Sequence, residues 1–507
     1  MRIAVIAACL AACCAGIALA GCGRDRRADD LAEVALDLIP AERGLIAEHD
    51  AAPFYRIDAT IDPTTATVRG SLRTTVTNTA REPWPRLWFR LQPNAPQYLA
   101  GAMTVTKVRA GGRAAASELR QDATTLAIDL ARPLPPGERV DVAMDFISAV
   151  PAVENGFGIL RSGPGWMNLY GWHPTLAPCD DGEWILHDIA PLAEPTNTAV
   201  ANYLVEVTAP AGWIVVATGS GPVPPLTPIR GAMTWRYRAA LARNFVVVAA
   251  TGLESHERQV GATLVTSYAP RAHAAGARLA LDAAAESLAL FAGRLGPYPY
   301  TELDVVHAEL GDEAGGMEST GLVTIASAMY ARPGALETLA KAVGGGAHLD
   351  ELDLVVAHEV AHQWFYGLVG SDSNAAPWLD ESLASWAGVW FVQSARDAKA
   401  GAEARSMQGV LPYRMARMAV GDQPLHQHVA ELDEIELGGF VYGKGTLLYE
   451  RLRGDLGDER FFAFLADYVR RHRFARADLA GWRRCLAAVA GEEYADGIIA
   501  RWIRPAD

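Results

Sequence analysis

One run, His358-Glu359-Val360-Ala361-His362, followed after eighteen residues by Glu381, constrains this chain more than any other part of it. Four residues is just over one helical turn, so a helix sends both imidazoles out of one face, where they can hold a single ion. Glu359 is rotated by about 100° from His358, which keeps its carboxylate beside that ion, where a base for an activated water is needed. Gln363-Trp364-Phe365-Tyr366 reads as a continuation of the apolar helix. Gly367, Gly370, Ser371, Asp372, Ser373 and Asn374 read as its break, and Pro377 as a restart before a second helix. Glu381 then falls in the first turn of that second helix, a position that suits a carboxylate, and an antiparallel return brings it to the histidine pair. Two neutral histidines and one carboxylate leave Zn2+ with residual positive charge and an open fourth position, which lowers the pKa of a bound water to about 7. The competing reading is an ordinary amphipathic helix with two satisfied histidines and a surface glutamate.

The first residues read as a processing signal. Arg2 precedes an apolar run from Ile3 to Ala20, which ends in Leu19-Ala20-Gly21-Cys22. That ending resembles a bacterial lipobox, in which cleavage before the cysteine leaves it to be acylated. Leu10-Ala11-Ala12-Cys13 has the same form, but cleavage there leaves an apolar tail, whereas Gly23-Arg24-Asp25-Arg26-Arg27 is polar at once. Cys22 is therefore the expected lipidation site, on an extracytoplasmic protein anchored to a bacterial membrane, and Gly23 favours the outer one. Of six cysteines only Cys179 and Cys485 then remain, too few for a disulfide framework; they could pair in an oxidising periplasm, but in different expected domains they read as two lone buried thiols. A net charge of −14 argues against a nucleic-acid partner.

The rest divides by periodicity. Residues 22–50 are charged and alanine-rich and read as a tether. From Tyr55 the period is two: Tyr55, Ile57, Ala59 and Ile61 alternate with polar residues, and similar short runs recur up to Phe245–Ala250. Residues 51–255 are thus expected to form a β-rich, sandwich-like domain. Residues 256–507 turn mixed and then helical, with a helix from Ala274 to Phe291, strands near 303–306 and 323–326, and a Gly344-Gly345-Gly346 loop ahead of the histidine helix. His173, His187, His307 and His348 lack metal spacing and read as hydrogen-bonded or surface histidines.

His358-Glu359-Val360-Ala361-His362-Gln363-Trp364-Phe365 with Trp378-Leu379-Asp380-Glu381 resembles the gluzincin aminopeptidases, the family of aminopeptidase N and leukotriene hydrolase. Gly315-Gly316-Met317-Glu318-Ser319 resembles that family's G-[AG]-M-E-N segment, with Ser319 in place of asparagine, and Tyr442-Gly443-Lys444-Gly445 resembles its Y-x-K-G segment. The resemblance implies an α+β fold, with a saddle-like β domain ahead of a thermolysin-like, mainly helical catalytic domain. It implies one Zn2+ per chain on His358, His362 and Glu381, with Glu359 as general base and Tyr442 as the phenol that stabilises an oxyanion. Gly315, Gly316 and Met317 would let a substrate backbone approach an edge strand, and Glu318 would pair with the ammonium of a peptide's free amino end. Lys444 reads as structural. A thermolysin-like endopeptidase and a zinc-bearing binding module without turnover are the alternatives.

Overall fold

The computed structural model describes residues 26–98, 102–152, 159–180, 182–190, 192, 197–221, 231–311, 314–330 and 351–504. Cys22, the Gly344-Gly345-Gly346 loop and His348 lie outside them. The period-two segments become strands because each buries its alternate residues. In Phe54–Asp62, Tyr55, Ile57, Ala59 and Ile61 are all buried. That strand sits inside a seven-stranded sheet running Ala232–Ala242, Ala201–Pro210, Phe54–Asp62, Thr67–Thr77, Arg139–Ala149, Ala102–Ala110, Arg113–Ala114. Phe54–Asp62 pairs in parallel with Ala201–Pro210 and antiparallel with Thr67–Thr77. Two four-stranded sheets and a two-stranded one, Cys179–Asp180 with Glu183–Trp184, complete the β-rich part; one four-stranded sheet runs Thr175–Leu176, Trp84–Arg90, Thr125–Leu134, Ser117–Arg120.

A five-stranded sheet starts the second part, in the order Leu253–Val260, Thr263–Pro270, Glu302–Ala308, Leu322–Ala326, Gly316–Met317. Gly316–Met317 is its edge strand and pairs antiparallel with Leu322–Ala326. Helix Ala274–Leu295 packs against this sheet and against the histidine helix, Glu351–Ala361. The rear part closes with helices Gly445–His472, interrupted at Gly457 with φ 72°, Leu479–Ala490 and Glu492–Ile498. A β-rich front followed by a mainly helical rear is the α+β arrangement expected from the sequence. Among the described residues no helix is long and apolar enough to cross a membrane.

Residues 26–50 depart from expectation. They are not a loose tether but helical turns, beginning with Arg26–Val34, whose Val34, Leu38 and Ile46 enter the main hydrophobic core. Asp37 accepts from Ala240 N at 2.9 Å through its carboxylate and from Thr301 N at 2.8 Å through its carbonyl. Ile39 N donates to Pro299 O at 2.8 Å, and Glu42 pairs with Arg473 at 3.0 Å. The segment thus braces the sheet end at Ala240, the loop at Pro299 and the C-terminal helices. A few apolar residues in a charged stretch suffice because their partners lie far along the sequence.

A second buried tie is Arg243, just past the strand Ala232–Ala242. Its guanidinium donates to the carbonyls of Tyr366, Gly367, Leu368, Thr198 and Ala475. A Cβ at Gly370 would lie 2.4 Å from Arg243 Cζ, so that position must be glycine for the arginine to enter. Burial pushes the guanidinium down to about 10, which still leaves it charged at neutral pH.

Burial pushes the Asp37 carboxyl up from its ordinary 3.8 to about 6, and the bond from Ala240 N offsets this only in part. The folded chain therefore holds a proton that the unfolded chain has released. That contribution to stability is complete below the unfolded value and is lost as pH rises through about 6. Asp37→Asn keeps an acceptor for Ala240 N but stays neutral. It is expected to raise stability over the native chain by up to ~3 kcal/mol near pH 8 and to leave it unchanged near pH 4. Thermal melts across that range check the sign.

Candidate metal centre and cleft

The histidine helix is regular from Glu351 to Ala361. It does not continue through Gln363-Trp364-Phe365-Tyr366 as the apolar run suggested. Helical geometry is lost at Phe365 and Tyr366, and Gly367 N bonds back to His362 O at 2.8 Å. The early break turns the Phe365 carbonyl onto His362 Nδ1, which donates to it at 2.9 Å. A carbonyl can only accept, so Nδ1 carries a proton, which leaves Nε2 as the nitrogen able to offer a lone pair once a metal replaces its proton.

Pro377 opens a short 3-10 turn, Pro377–Leu379, before the return helix Glu381–Ala395. Asp380 caps that helix, accepting from Glu381 N at 2.8 Å and from Ser371 Oγ at 2.9 Å. Glu381 Oε2 then lies 3.3 Å from His358 Nε2 and 3.5 Å from His362 Nε2, and the two Nε2 atoms are 3.1 Å apart. Ligands ~2.0–2.1 Å from a tetrahedral zinc stand ~3.3 Å from one another, so the three donors already have the spacing of that coordination shell. Both Glu381 oxygens and Glu359 Oε2 are buried without a hydrogen-bond partner among the described residues. The donor set and its orphaned oxygens fit zinc.

Electrostatics agree. Burial drives Glu359 well above the carboxylate range, and Glu318 and Glu381 add to the shift. Burial works against a charge on His362, but Glu381, Glu318 and Glu359 together outweigh it and hold that imidazole well above its ordinary value. Burial likewise resists ionisation of Glu381, yet the two histidines hold it well below the usual range. The cluster is short of positive charge, and its carboxylates draw a proton onto His362 in place of a cation.

The centre opens into a cleft of about 360 Å³ lined by Gly315, Gly316, Glu318, His358, Glu359, His362, Glu381 and Tyr442 among others. Glu318 is buried, and its carboxylate, a Glu359 oxygen and a His362 nitrogen lie within 4.8 Å of one another. The loop that carries it is pinned from the histidine helix: Gln363 Nε2 donates to Ser319 O at 2.8 Å, and Gln363 Oε1 accepts from Gly321 N at 2.8 Å. Ser319 donates to Asn244 Oδ1 at 2.7 Å and shares a 2.9 Å bond with Thr218, so it points into the fold rather than into the cleft. Gly316 has a reason that sequence alone did not give: a Cβ there would sit 2.5 Å from Glu359 Oε1. Met317, within the edge strand, is buried and is not among the residues that line the cleft.

Tyr442 lies across the cleft, its ring stacked on His358 with centroids 6.1 Å apart. Ser382, next to Glu381, donates to Val441 O at 2.6 Å and so ties the return helix to the segment bearing Tyr442. A Cβ at Gly445 would fall 1.9 Å from Ser382 Oγ, which accounts for the glycine. Lys444 is buried and donates to Asp422 Oδ1 at 2.9 Å and to Gln423 O at 2.5 Å, an anchor rather than a cleft residue. Sequence reasoning did not find Leu192, Gln408, Glu434 and Leu437, which also line the cleft; they come from scattered segments with no shared pattern. His173 is buried against Pro174 O, His187 bonds Asp372 at 2.9 Å, and His307 bonds His273 at 2.8 Å. Cys179 and Cys485 are both free thiols.

Comparison with known proteins agrees with this geometry. Residues 279–502 match the peptidase family M1 domain. Aminopeptidase M1-B of Oryza sativa subsp. japonica is 29% identical over 231 residues, 45% of this chain and 25% of that protein. Aminopeptidase N of Lactococcus lactis subsp. lactis is 34% identical over 173 residues, 33% of this chain and 19% of that protein. The matched region thus spans about a quarter or less of these relatives' length. The crystal structure of an M1 zinc metallopeptidase from Deinococcus radiodurans superposes with a TM-score of 0.63 at 20% identity, over 90% of this chain and 94% of that one. A mutant of that enzyme bound to a Tyr-Ser-Ala substrate superposes with a TM-score of 0.62 at 20% identity, over 90% of this chain and 94% of that one.

Metal analysis separates the ligands from their neighbour. His358→Ala is expected to lose zinc, whereas Glu359→Gln keeps the side chain's shape beside the ion and should retain it. Equal loss in both would make Glu359 a ligand.

Proposed function

We propose that this chain, whose residues 279–502 match the peptidase family M1 domain, is a zinc-dependent aminopeptidase that hydrolyses residues from the free amino end of peptides. The observation that carries this reading is the place of Glu318, a buried carboxylate in the same cleft as the metal centre and beside the edge strand Gly316–Met317. An extended peptide can add to that edge through main-chain hydrogen bonds. Its α-ammonium then meets Glu318, which stops the chain one residue into the cleft. The aminopeptidases among the relatives, and the tripeptide bound to the Deinococcus enzyme, support a peptide substrate.

Bound by His358, His362 and Glu381, zinc supplies Lewis acidity to a carbonyl and to a water. Glu359 takes the proton from the attacking water and delivers it to the leaving amine. Tyr442, on the opposite side of the cleft, donates its phenolic hydrogen to the oxygen that becomes an oxyanion. Gly316 keeps space for Glu359, and Gln363 holds the loop that aims Glu318. We further propose that Cys22 is acylated and anchors the enzyme on the periplasmic side of a bacterial membrane. The apolar run ending in Leu19-Ala20-Gly21-Cys22 supports this, and Gly23 favours the outer membrane.

The deciding experiment sets aminoacyl fluorogenic amides beside their N-acetylated versions. Native enzyme should cleave the free amines alone, and Glu318→Ala should weaken that cleavage by several kcal/mol, since halving a buried ion pair leaves a desolvated charge. Equal turnover of blocked and free substrates would replace the aminopeptidase reading with an endopeptidase.

Tyr442→Phe deletes one donor and keeps the ring. It should lower kcat by about two to three orders of magnitude with little change in KM, and leave zinc content and melting temperature near native. Normal turnover would place the oxyanion donor elsewhere.

A further inference from the structure

The solvent face of the seven-stranded sheet carries a second concave site, remote in sequence from the metal centre. A groove of about 650 Å³ is lined by Arg26, Arg27, Arg56, Arg73, Arg109 and Arg139, against two aspartates, Asp30 and Asp141. This is a concentration of positive charge on a chain whose net charge is −14.

Strand register shows how it is built. Arg56 pairs with Arg73, Arg73 with Ala143, and Ala143 with Arg109, so one row crosses four strands with three arginines and a single small residue. Their neighbours Ile57, Leu72, Val142 and Met144 point into the core, which puts this row on the outer face. Like charges directly opposite one another destabilise a sheet. Asp30 pairs with Arg56, and Asp50 with Arg27 and Arg139, but among the described residues Arg73 has no ion-pair partner. Ala143 leaves the floor open between Arg73 and Arg109. Helix Arg26–Val34 forms one wall.

The position of the groove identifies its occupant. Arg26 stands four residues beyond Cys22, and four extended residues reach at most ~14 Å. Four strands side by side span about the same distance. We propose that this groove binds the headgroups of anionic phospholipids and seats the sheet face on the membrane to which Cys22 is attached. The proposal rests on the anchoring reading above for the nearness of the bilayer, and on the arginine row for its chemistry.

The test uses the intact chain, purified from membranes and reconstituted in vesicles, with arginine-specific labelling by phenylglyoxal read by mass spectrometry. The probes are phosphatidylcholine vesicles, the same vesicles with inorganic phosphate, and vesicles containing phosphatidylglycerol. A cationic side chain near an anionic surface gains about fivefold in its binding constant. Labelling of Arg73 and Arg109 should therefore fall by about that factor in phosphatidylglycerol alone, while Arg501, exposed at the other end of the chain, labels equally in all three. Equal labelling of Arg73 and Arg109 in phosphatidylcholine and phosphatidylglycerol overturns the proposal. Equal protection by inorganic phosphate also overturns it, in favour of a free-phosphate site. Palmitate labelling of Cys22 and turnover of an aminoacyl amide are read on the same vesicles, so failure of the anchor or of the enzyme is seen separately from failure of the groove.

Discussion

One buried guanidinium joins the two parts of this molecule. Among the described residues no carboxylate pairs with Arg243; its protons go to carbonyls at Thr198, Tyr366, Gly367, Leu368 and Ala475. Burying an arginine this way is costly unless every donor is met, and carbonyls at a broken helix end carry the partial negative charge that meets it. The arrangement holds the histidine helix where it stops. That stop turns the Phe365 carbonyl onto His362 Nδ1, which in turn sets the nitrogen that faces the metal position. The tautomer of a candidate ligand is thus governed by a cation that never enters the cleft.

The cleft shows the opposite imbalance. Glu318, Glu359, Glu381 and Glu434 line it, with no lysine or arginine among the described residues that line it. Carboxylates crowded at low dielectric repel one another and take up protons. A divalent cation on His358, His362 and Glu381 relieves that repulsion, and a substrate ammonium at Glu318 relieves more. Metal and substrate therefore answer the same excess of negative charge.

The sequence made the chemistry more legible than its supports. His358, His362 and Glu381 could be placed from spacing because the α-helix fixes which residues share a face, and the strands from Tyr55 onward because the pleat buries alternate residues. The end of the histidine helix could not be read this way: Gln363-Trp364-Phe365-Tyr366 is apolar throughout, and only the carbonyl bed of Arg243 shows why it breaks. Gly316 resembled a substrate-facing glycine, and the structure adds that Glu359 occupies the space of its missing side chain. Residues 26–50 were misleading because Asp37 and Glu42 look like tether charges until Ala240 and Arg473 are beside them.

Those last contacts also bear on when the protein can fold. Asp37 O accepts from Thr301 Oγ1 across 264 positions, and Arg473 donates to Glu42 across 431. Joining ends so distant costs loop entropy that no nearby contact returns, and such pairings form late and slowly. The N-terminal brace precedes its partners along the chain but can be seated only after they are present. Until then the apolar sides of Val34 and Leu38 stay exposed, and the molecule closes only once its C-terminal helices are in place.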